Sequence, residues 1–593
     1  MVSTPTENTL LFRPGDFSSL AAALDYAATG QTGYNFYDGR GRLAEALSYC
    51  QLREDACGLA RRFLSLGVER GAKVALVGDT HADFMRFFYA CQYAGLVPVP
   101  LPATIFLGGH QAYVEQLRRL LIDSQAEIAV ALPGFHTFMA EAGEGLELRF
   151  LGEPADFIAL PAVQQQLSPS VANDVAYLQY TSGSTRYPRG VIITQTAVMK
   201  NLAEIIVHGV RVQAGDRSFS WLPFFHDMGL VGGVLAPMAS QISADYLNTR
   251  DFAMRPRLWL TLMSQNKNTI SFSPPFGYEL CARRIREPEV EKFDLCHWRV
   301  AGIGAEIIRP DSLRRFASLL APAGFSDKAF MPCYGMAECS LAVSFAPLGE
   351  GFAVDVIDAD HFMTTQEALP AAAFSQGTAS NAGSFVICGV PLPDYEVEIR
   401  GADGQVLPER HCGTLFVRGA SVMSGYLGNE LLTREVLSAD GWLNTGDLAY
   451  RVGQSIVIAG RQKDLIIING RNIWPQDMES IAEQQPEVRV GDASAFSIPG
   501  SSGQEKAVLV VQCRELDQSV CIDLEHRLHG LVQQALGIDC LVELVPRNTL
   551  PRTTSGKLSR SGARKGYLER HAGVKAAISE TLFSMPDLDG QAI

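Results

Sequence analysis

The sequence has no CxxC pair, no internal repeat, no cluster of basic residues and no apolar segment long enough to cross a bilayer. Each absence closes a class of function. Its 12 cysteines are scattered (Cys50, Cys57, Cys91, Cys281 and Cys296 among them), and 593 residues need no covalent staples, so reduced thiols in a cytoplasm are expected and zinc is not. The longest apolar candidate, 229–239, falls short of the roughly 20 residues of a spanning helix and follows His226 and Asp227. The first thirty residues have no basic start leading into an apolar run, so no signal peptide is expected and the protein reads as soluble. Lys and Arg number 50 against 64 Asp and Glu, a formal charge of −14 spread along the chain. That leaves no stripe with which to hold a phosphate backbone, and nucleic acid is not an expected partner.

What is present is globular composition, 47% hydrophobic, in a chain long enough for about four domain-sized units. Residues 48–66 carry apolar side chains at three- and four-residue spacing up to Gly67, which predicts an amphipathic helix and its stop. A strand at 73–77, a helix at 82–93 and a second apolar run at 96–102 follow, the alternation of a parallel α/β sheet. From 385 to 418 polar and apolar residues alternate around an Asp403-Gly404 turn, the pattern of antiparallel strands. After Gly470, Pro475 opens a short helix that Pro486 closes, and a strand at 506–512 and a helix near 522–535 complete a separate α+β unit. The only biased patches, 368–382 and a Gln triplet at Gln164, are too short for a disordered linker.

The sharpest local signal is Tyr180-Thr181-Ser182-Gly183-Ser184-Thr185-Arg186-Tyr187-Pro188-Arg189-Gly190, between the apolar runs 175–178 and 191–193. Amides and hydroxyls in such a loop can cradle phosphate oxygens, although a solvent turn has the same composition and the GxxxxGK[ST] spacing is missing. Further along come Tyr334-Gly335-Met336-Ala337-Glu338, Thr445-Gly446-Asp447, Gly460-Arg461-Gln462-Lys463-Asp464 and Ser555-Gly556-Lys557. In this order, over nearly the whole chain, the motifs resemble the adenylate-forming superfamily of acyl-CoA synthetases, luciferases and peptide-synthetase adenylation domains. TSGSTR, YGMAE and GRQKDLIIINGRNIWPQDMES look most like its fatty acyl-AMP ligases. Arg186 stands where Gly is usual, Arg189 where Lys is usual and Ala337 where Thr is frequent, and the fatty acyl-AMP ligase branch shares the first and third of these departures.

The resemblance implies an α/β fold: a large N-terminal domain, 1–461, of sheets flanked by helices with a distorted β-barrel portion, a hinge at 462–470 centred on Asp464, and a small mobile α+β lid, 471–593. It implies that Thr181, Ser182, Gly183, Ser184 and Thr185 hold phosphate. Gly304, Ala305, Glu306 and Tyr334, with Gly335, Met336 and Ala337, would surround adenine and the α-phosphate, and Asp447 and Arg461 would take the ribose. Glu338 would ligate Mg²⁺, a hard cation suited to a carboxylate. Lys557 would reach from the lid to the attacking carboxylate and α-phosphate, where anion meets anion. His226 would lie near the substrate carboxylate, with Met228, Gly229, Phe276 and Gly277 along the acyl pocket. No activated serine pairs with His226, so hydrolysis is not expected.

The implied activity is ATP-dependent activation of a fatty acid to acyl-adenylate with release of pyrophosphate, then transfer to the phosphopantetheine thiol of an acyl carrier protein. An acyl-CoA synthetase would share every adenylation motif, and a non-catalytic nucleotide-binding homologue would keep the fold. Retention of Glu338, Asp447 and Lys557 together speaks against the second. A long segment, 344–383, resembles the insertion that marks fatty acyl-AMP ligases and speaks against the first.

Overall fold

The structure is a computed structural model that describes residues 10–103, 109–181, 188–371, 382–468, 471–499, 505–513, 517–553 and 558–583, the last helix by its backbone alone beyond 571. The chain divides into two compact units: among the described residues, one runs to Gly460 without Met363–Thr365, and the other takes Met363–Thr365 and the chain from Arg461 onward. No described helix is long and apolar enough to cross a membrane.

The helix expected at 48–66 is Tyr49–Ser65, opened by the Ser48 hydroxyl, which accepts the Gln51 N–H at 3.1 Å. It buries Leu52, Ala56, Leu59 and Phe63, the spacing that marked it in the sequence. Strand Lys73–Val77 pairs in parallel with Val97–Leu101 on one side and Ala126–Val130 on the other, across helix Ala82–Ala94. The larger sheet of this unit has nine strands. Its middle is parallel: Gly33–Tyr37, Ser243–Leu247, Arg217–Ser220, Ile270–Ser273, Val300–Ile303 and Phe330–Gly335 lie side by side in that order. Antiparallel strands finish both edges, Leu43–Ser48 at one and Ala342–Phe345 with Val390–Pro391 at the other. The alternating stretch near 385–418 forms Tyr395–Arg400 and Gly413–Gly419, antiparallel within a four-stranded sheet that also holds Leu443–Val452 and Ser455–Arg461.

The segment read as an insertion from 344 begins inside the core. Ser344 is buried in strand Ala342–Phe345 and its hydroxyl donates to the Cys388 carbonyl at 2.9 Å. The departure from the sheet starts after Phe345, where Val354–Asp358 pairs with Ala382–Val386 and leads into helix Ala359–Thr365. Residues 372–381 lie outside the described residues.

The C-terminal unit is built on strand Glu505–Gln512, antiparallel to Ala493–Pro499 and parallel to Cys540–Val545. Strand periodicity sends its side chains to two cores. Ala507, Leu509 and Val511 pack with Met478, Leu524, Leu528 and Val532 from helices Pro475–Glu483 and Gln518–Leu536. Val508 and Val510 face the other way, against Phe496, Leu550, Ala563 and Tyr567.

Candidate active site

Four neighbouring strands of the nine-stranded sheet run parallel and end on the same edge, and each delivers expected site residues just past its carboxyl end. Arg217–Ser220 leads to Trp221 and the segment reaching Gly229, Ile270–Ser273 to Phe276 and Gly277, Val300–Ile303 to Gly304, Ala305 and Glu306, and Phe330–Gly335 to Met336, Ala337 and Glu338. Open parallel sheets bind ligands at this edge because the loops there are released from pairing and converge. Residues far apart in sequence are thereby neighbours.

Tyr334 and Asp447 are joined directly: the tyrosine hydroxyl donates to Asp447 Oδ2 at 2.6 Å. The carboxylate is 4% exposed, on strand Leu443–Val452, and its N–H donates to the Thr445 hydroxyl at 3.1 Å. Burial first, and then the Asp447 charge, push the Tyr334 hydroxyl well above its ordinary pKa, so it remains a donor. Gly335 is demanded by the turn that follows, since a Cβ there would sit 1.9 Å from the Leu341 carbonyl that also accepts the Met336 N–H. Ala305 takes φ 71°, a left-handed backbone rare for alanine, immediately after Gly304.

Glu338 lies on the short turn Ala337–Cys339 and is 8% exposed. Its Oε1 accepts the Tyr426 hydroxyl at 2.8 Å, and its backbone carbonyl accepts the Met423 N–H at 2.8 Å. The Arg189 guanidinium lies 5.4 Å from the centre of the Tyr426 ring. Burial, followed by the Glu338 charge, raises the Tyr426 hydroxyl and keeps it protonated. Tyr426 was not among the residues the sequence singled out. It stands 88 positions from Glu338 in a stretch with no motif of its own, and only the pairing of Gly425 and Tyr426 with Ile192 and Val191 brings it here.

His226 Nδ1 faces Asp227 Oδ1 at 2.7 Å, so that contact engages one ring nitrogen and not Nε2. Asp227 also accepts the Met228 N–H at 2.7 Å and so opens the wide helix Met228–Leu235 that carries Gly229. The apolar run 229–239 forms most of this helix and the short helix Ala236–Ala239 after it, and nearly all of it is buried. Gln179 Nε2 donates to the Phe225 carbonyl at 2.7 Å and holds the turn before His226. Beside it Trp221 stacks on Phe252 at 3.7 Å, and the exposed Phe276 meets its edge at 5.6 Å. Gly277 leaves room for that ring, since a Cβ would fall 2.1 Å from Ser273 Oγ and 2.6 Å from Trp221 Cζ2.

Thr181 follows strand Val175–Tyr180, and its N–H donates to the Arg189 carbonyl at 3.1 Å, closing the base of the hydroxyl-rich loop. Ser182, Gly183, Ser184, Thr185 and Lys557 lie outside the described residues. Arg461 and Asp464 belong to the C-terminal unit, Arg461 ending strand Ser455–Arg461 and Asp464 ending the turn Gln462–Asp464.

Residues 26–427 match the family model of the AMP-binding enzymes. A Caulobacter vibrioides protein named "Putative acyl-CoA synthetase" is 46% identical over 96% of this chain and 98% of its own length. A medium-chain-fatty-acid–[acyl-carrier-protein] ligase of Moorena producens is 30% identical, covering 93% of this chain and 96% of that one. A solved structure from work on the fatty acyl-adenylate ligases of E. coli and L. pneumophila matches with a TM-score of 0.90 at 44% identity, over 95% of this chain and 100% of the other. The chain belongs to the AMP-binding enzyme family and has the fold of adenylate-forming enzymes.

Proposed function

We propose that the protein activates a fatty acid with ATP, forming acyl-adenylate and pyrophosphate, and passes the acyl group to the phosphopantetheine thiol of an acyl carrier protein. One observation carries this reading. A single strand end holds Tyr334, bonded to the buried Asp447, and four residues on a buried carboxylate, Glu338, at the sheet edge where ligands gather. The 44% identity to a fatty acyl-adenylate ligase structure and the relative named for a carrier-protein acceptor support the substrate and the acceptor.

A fatty carboxylate ordinarily titrates at about pH 4 to 5 and is ionised at neutral pH, so adenylation needs no general base. A carboxylate oxygen forms the new bond to the α-phosphorus, and the bond from that phosphorus to the bridging oxygen breaks, with pyrophosphate leaving in line. Asp447 accepts the ribose hydroxyls, Tyr334 presents a face to adenine while its hydroxyl orients Asp447, and Gly304, Ala305 and Glu306 line the adenine edge. Arg461 gives a second ribose contact, and Thr181 begins the phosphate loop. His226 Nε2 meets the substrate carboxylate, and Met228, Gly229, Phe276 and Gly277 border the acyl chain. Lys557 offsets charge between the two anions. Glu338 suits Mg²⁺, being a buried hard-oxygen donor whose backbone is pinned independently of its side chain. Bound with ATP, magnesium would neutralise phosphate charge. Residues 471–593 act as a lid that turns about a hinge at 462–470, and the enzyme works in a reducing cytoplasm, in keeping with cysteines that form no disulfide among the described residues.

The test is incubation with ATP, Mg²⁺ and a panel of fatty acids, followed by separation of free acyl-AMP, acyl-CoA and acyl-carrier products. Acyl-AMP with acyl-carrier product and little acyl-CoA is expected. Efficient acyl-CoA formation would make the protein an acyl-CoA synthetase, and absence of fatty-acid-dependent pyrophosphate exchange would overturn the reading.

A further inference from the structure

Within the C-terminal unit one arginine holds two carboxylates at once. Arg560 Nε and Nη2 donate to the two oxygens of Glu479, each at 2.7 Å, and Nη1 donates to Asp464 Oδ2 at 3.1 Å. Glu479 is buried on helix Pro475–Glu483, and its Oε1 also accepts the Ala495 N–H at 3.1 Å, so this pair is fastened to both helix and sheet. Asp464 is 18% exposed and closes the turn Gln462–Asp464. A bidentate guanidinium fixes direction as well as distance, which a lysine ammonium cannot do.

Arg560 is also the first residue of the last helix, three positions beyond Lys557. The chain is pinned on both sides of residues 554–557. Arg552 bridges Leu558, the Ser559 N–H donates to the Pro551 carbonyl at 2.9 Å, and Arg552 Nη2 donates to the Gly491 carbonyl at 2.7 Å. The base of the Lys557 loop and the residue at the expected hinge are therefore one guanidinium apart. A surface ion pair would contribute little, but here two carboxylates on separate elements share one planar cation and Glu479 is almost without solvent.

We propose that Arg560 is a positioning residue for adenylation: clamped on Glu479, it ties Asp464 to the base of the Lys557 loop, so that the hinge residue and the loop move as one piece. This rests on the reading above that Lys557 serves the adenylation step.

Arg560→Ala would leave Glu479 buried and charged and risks unfolding the unit, so the test uses gentler changes. Asp464→Ala removes the acceptor of the Nη1 bond and keeps the Arg560–Glu479 pair, and Arg560→Lys keeps the charge but cannot span both carboxylates. Thermal melting confirms that each variant folds. Each should slow pyrophosphate exchange about tenfold with the KM for ATP within about twofold, while consumption of supplied acyl-AMP falls less than about threefold. The double variant should be no slower than the worse single one, because both remove one connection. Hydrogen exchange over residues 551–559 should quicken about tenfold in both single variants. Additive losses, equal slowing of both half-reactions, or unchanged exchange in folded variants would overturn the proposal. Exchange is read without turnover, so it judges the anchor by itself. If Lys557→Ala adenylates at the normal rate, the role given to the lysine fails, and faster exchange would then mark a purely structural clamp and overturn the proposal.

Discussion

Replacing Glu338 with Gln separates a metal ligand from a structural carboxylate. The native side chain is 8% exposed and its Oε1 accepts the Tyr426 hydroxyl at 2.8 Å. Gln has the same length, and its amide oxygen can still accept that hydroxyl. What changes in the free protein is the kind of hydrogen bond, from one to a charged group worth about 1.5–3 kcal/mol to a neutral one worth about 0.5–1.5. The difference, about 1 kcal/mol, is partly offset because a buried charge is no longer held away from water. The turn itself is retained by the bond from the Met423 N–H to the Glu338 carbonyl. Folding stability should therefore fall by no more than about 1 kcal/mol, measured by urea unfolding. Metal demand should change far more. Losing an outer partner of a metal ligand commonly weakens binding about 10- to 100-fold, and losing the charged ligand should weaken it at least as much. Two titrations read this: pyrophosphate exchange against Mg²⁺ at fixed ATP, and Mn²⁺ binding in the presence of ATP by electron paramagnetic resonance. An unchanged metal requirement in a folded variant would refute the assignment. A stability loss above about 3 kcal/mol would refute the claim that the charge is dispensable for folding.

Tyr426→Phe should cost more stability than Glu338→Gln, about 1.5–3 kcal/mol by urea unfolding, because it leaves the carboxylate charged and takes away that donor; a loss under about 0.5 kcal/mol, the size of an ordinary surface change, would count against it. Gly277→Ala should force Trp221 or Ser273 aside, lowering stability by about 1–3 kcal/mol and shifting fatty-acid preference in the exchange assay, and an unaltered chain-length profile would remove Gly277 from the pocket wall. Glu204 has its pKa raised by burial and then by Asp394, with His208 and Lys200 opposing. Because its proton is bound more tightly in the folded state than in the unfolded, its contribution favours folding at low pH and is lost as pH rises through the folded pKa. Glu204→Gln should therefore stabilise the protein at about pH 7 and have less effect near the ordinary glutamate pKa of about 4.3, and urea midpoints at the two pH values that shift equally would refute this.

Much of the fold was legible because its signals are local. Apolar spacing and the stop at Gly67 mark helix Tyr49–Ser65, two-residue alternation marks strands Tyr395–Arg400 and Gly413–Gly419, and Pro475 marks the start of a helix, all determined by neighbours in the chain. Motif order was equally readable, and with it the family. Pairing was not. That Tyr334 bonds Asp447 across 113 positions, that Tyr426 serves Glu338, and that Arg560 joins Asp464 to Glu479 depend on where strands end and how sheets register. Nor did the sequence mark where the 344–383 segment leaves the core: Ser344 is a strand residue because its hydroxyl and neighbours pair within the sheet. A sequence carries spacing along one dimension. It determined which residues could do chemistry here, while the parallel strands, by ending on one edge, decided which of them meet, since side-chain hydrogen bonds act over about 3 Å of space whatever the separation along the chain.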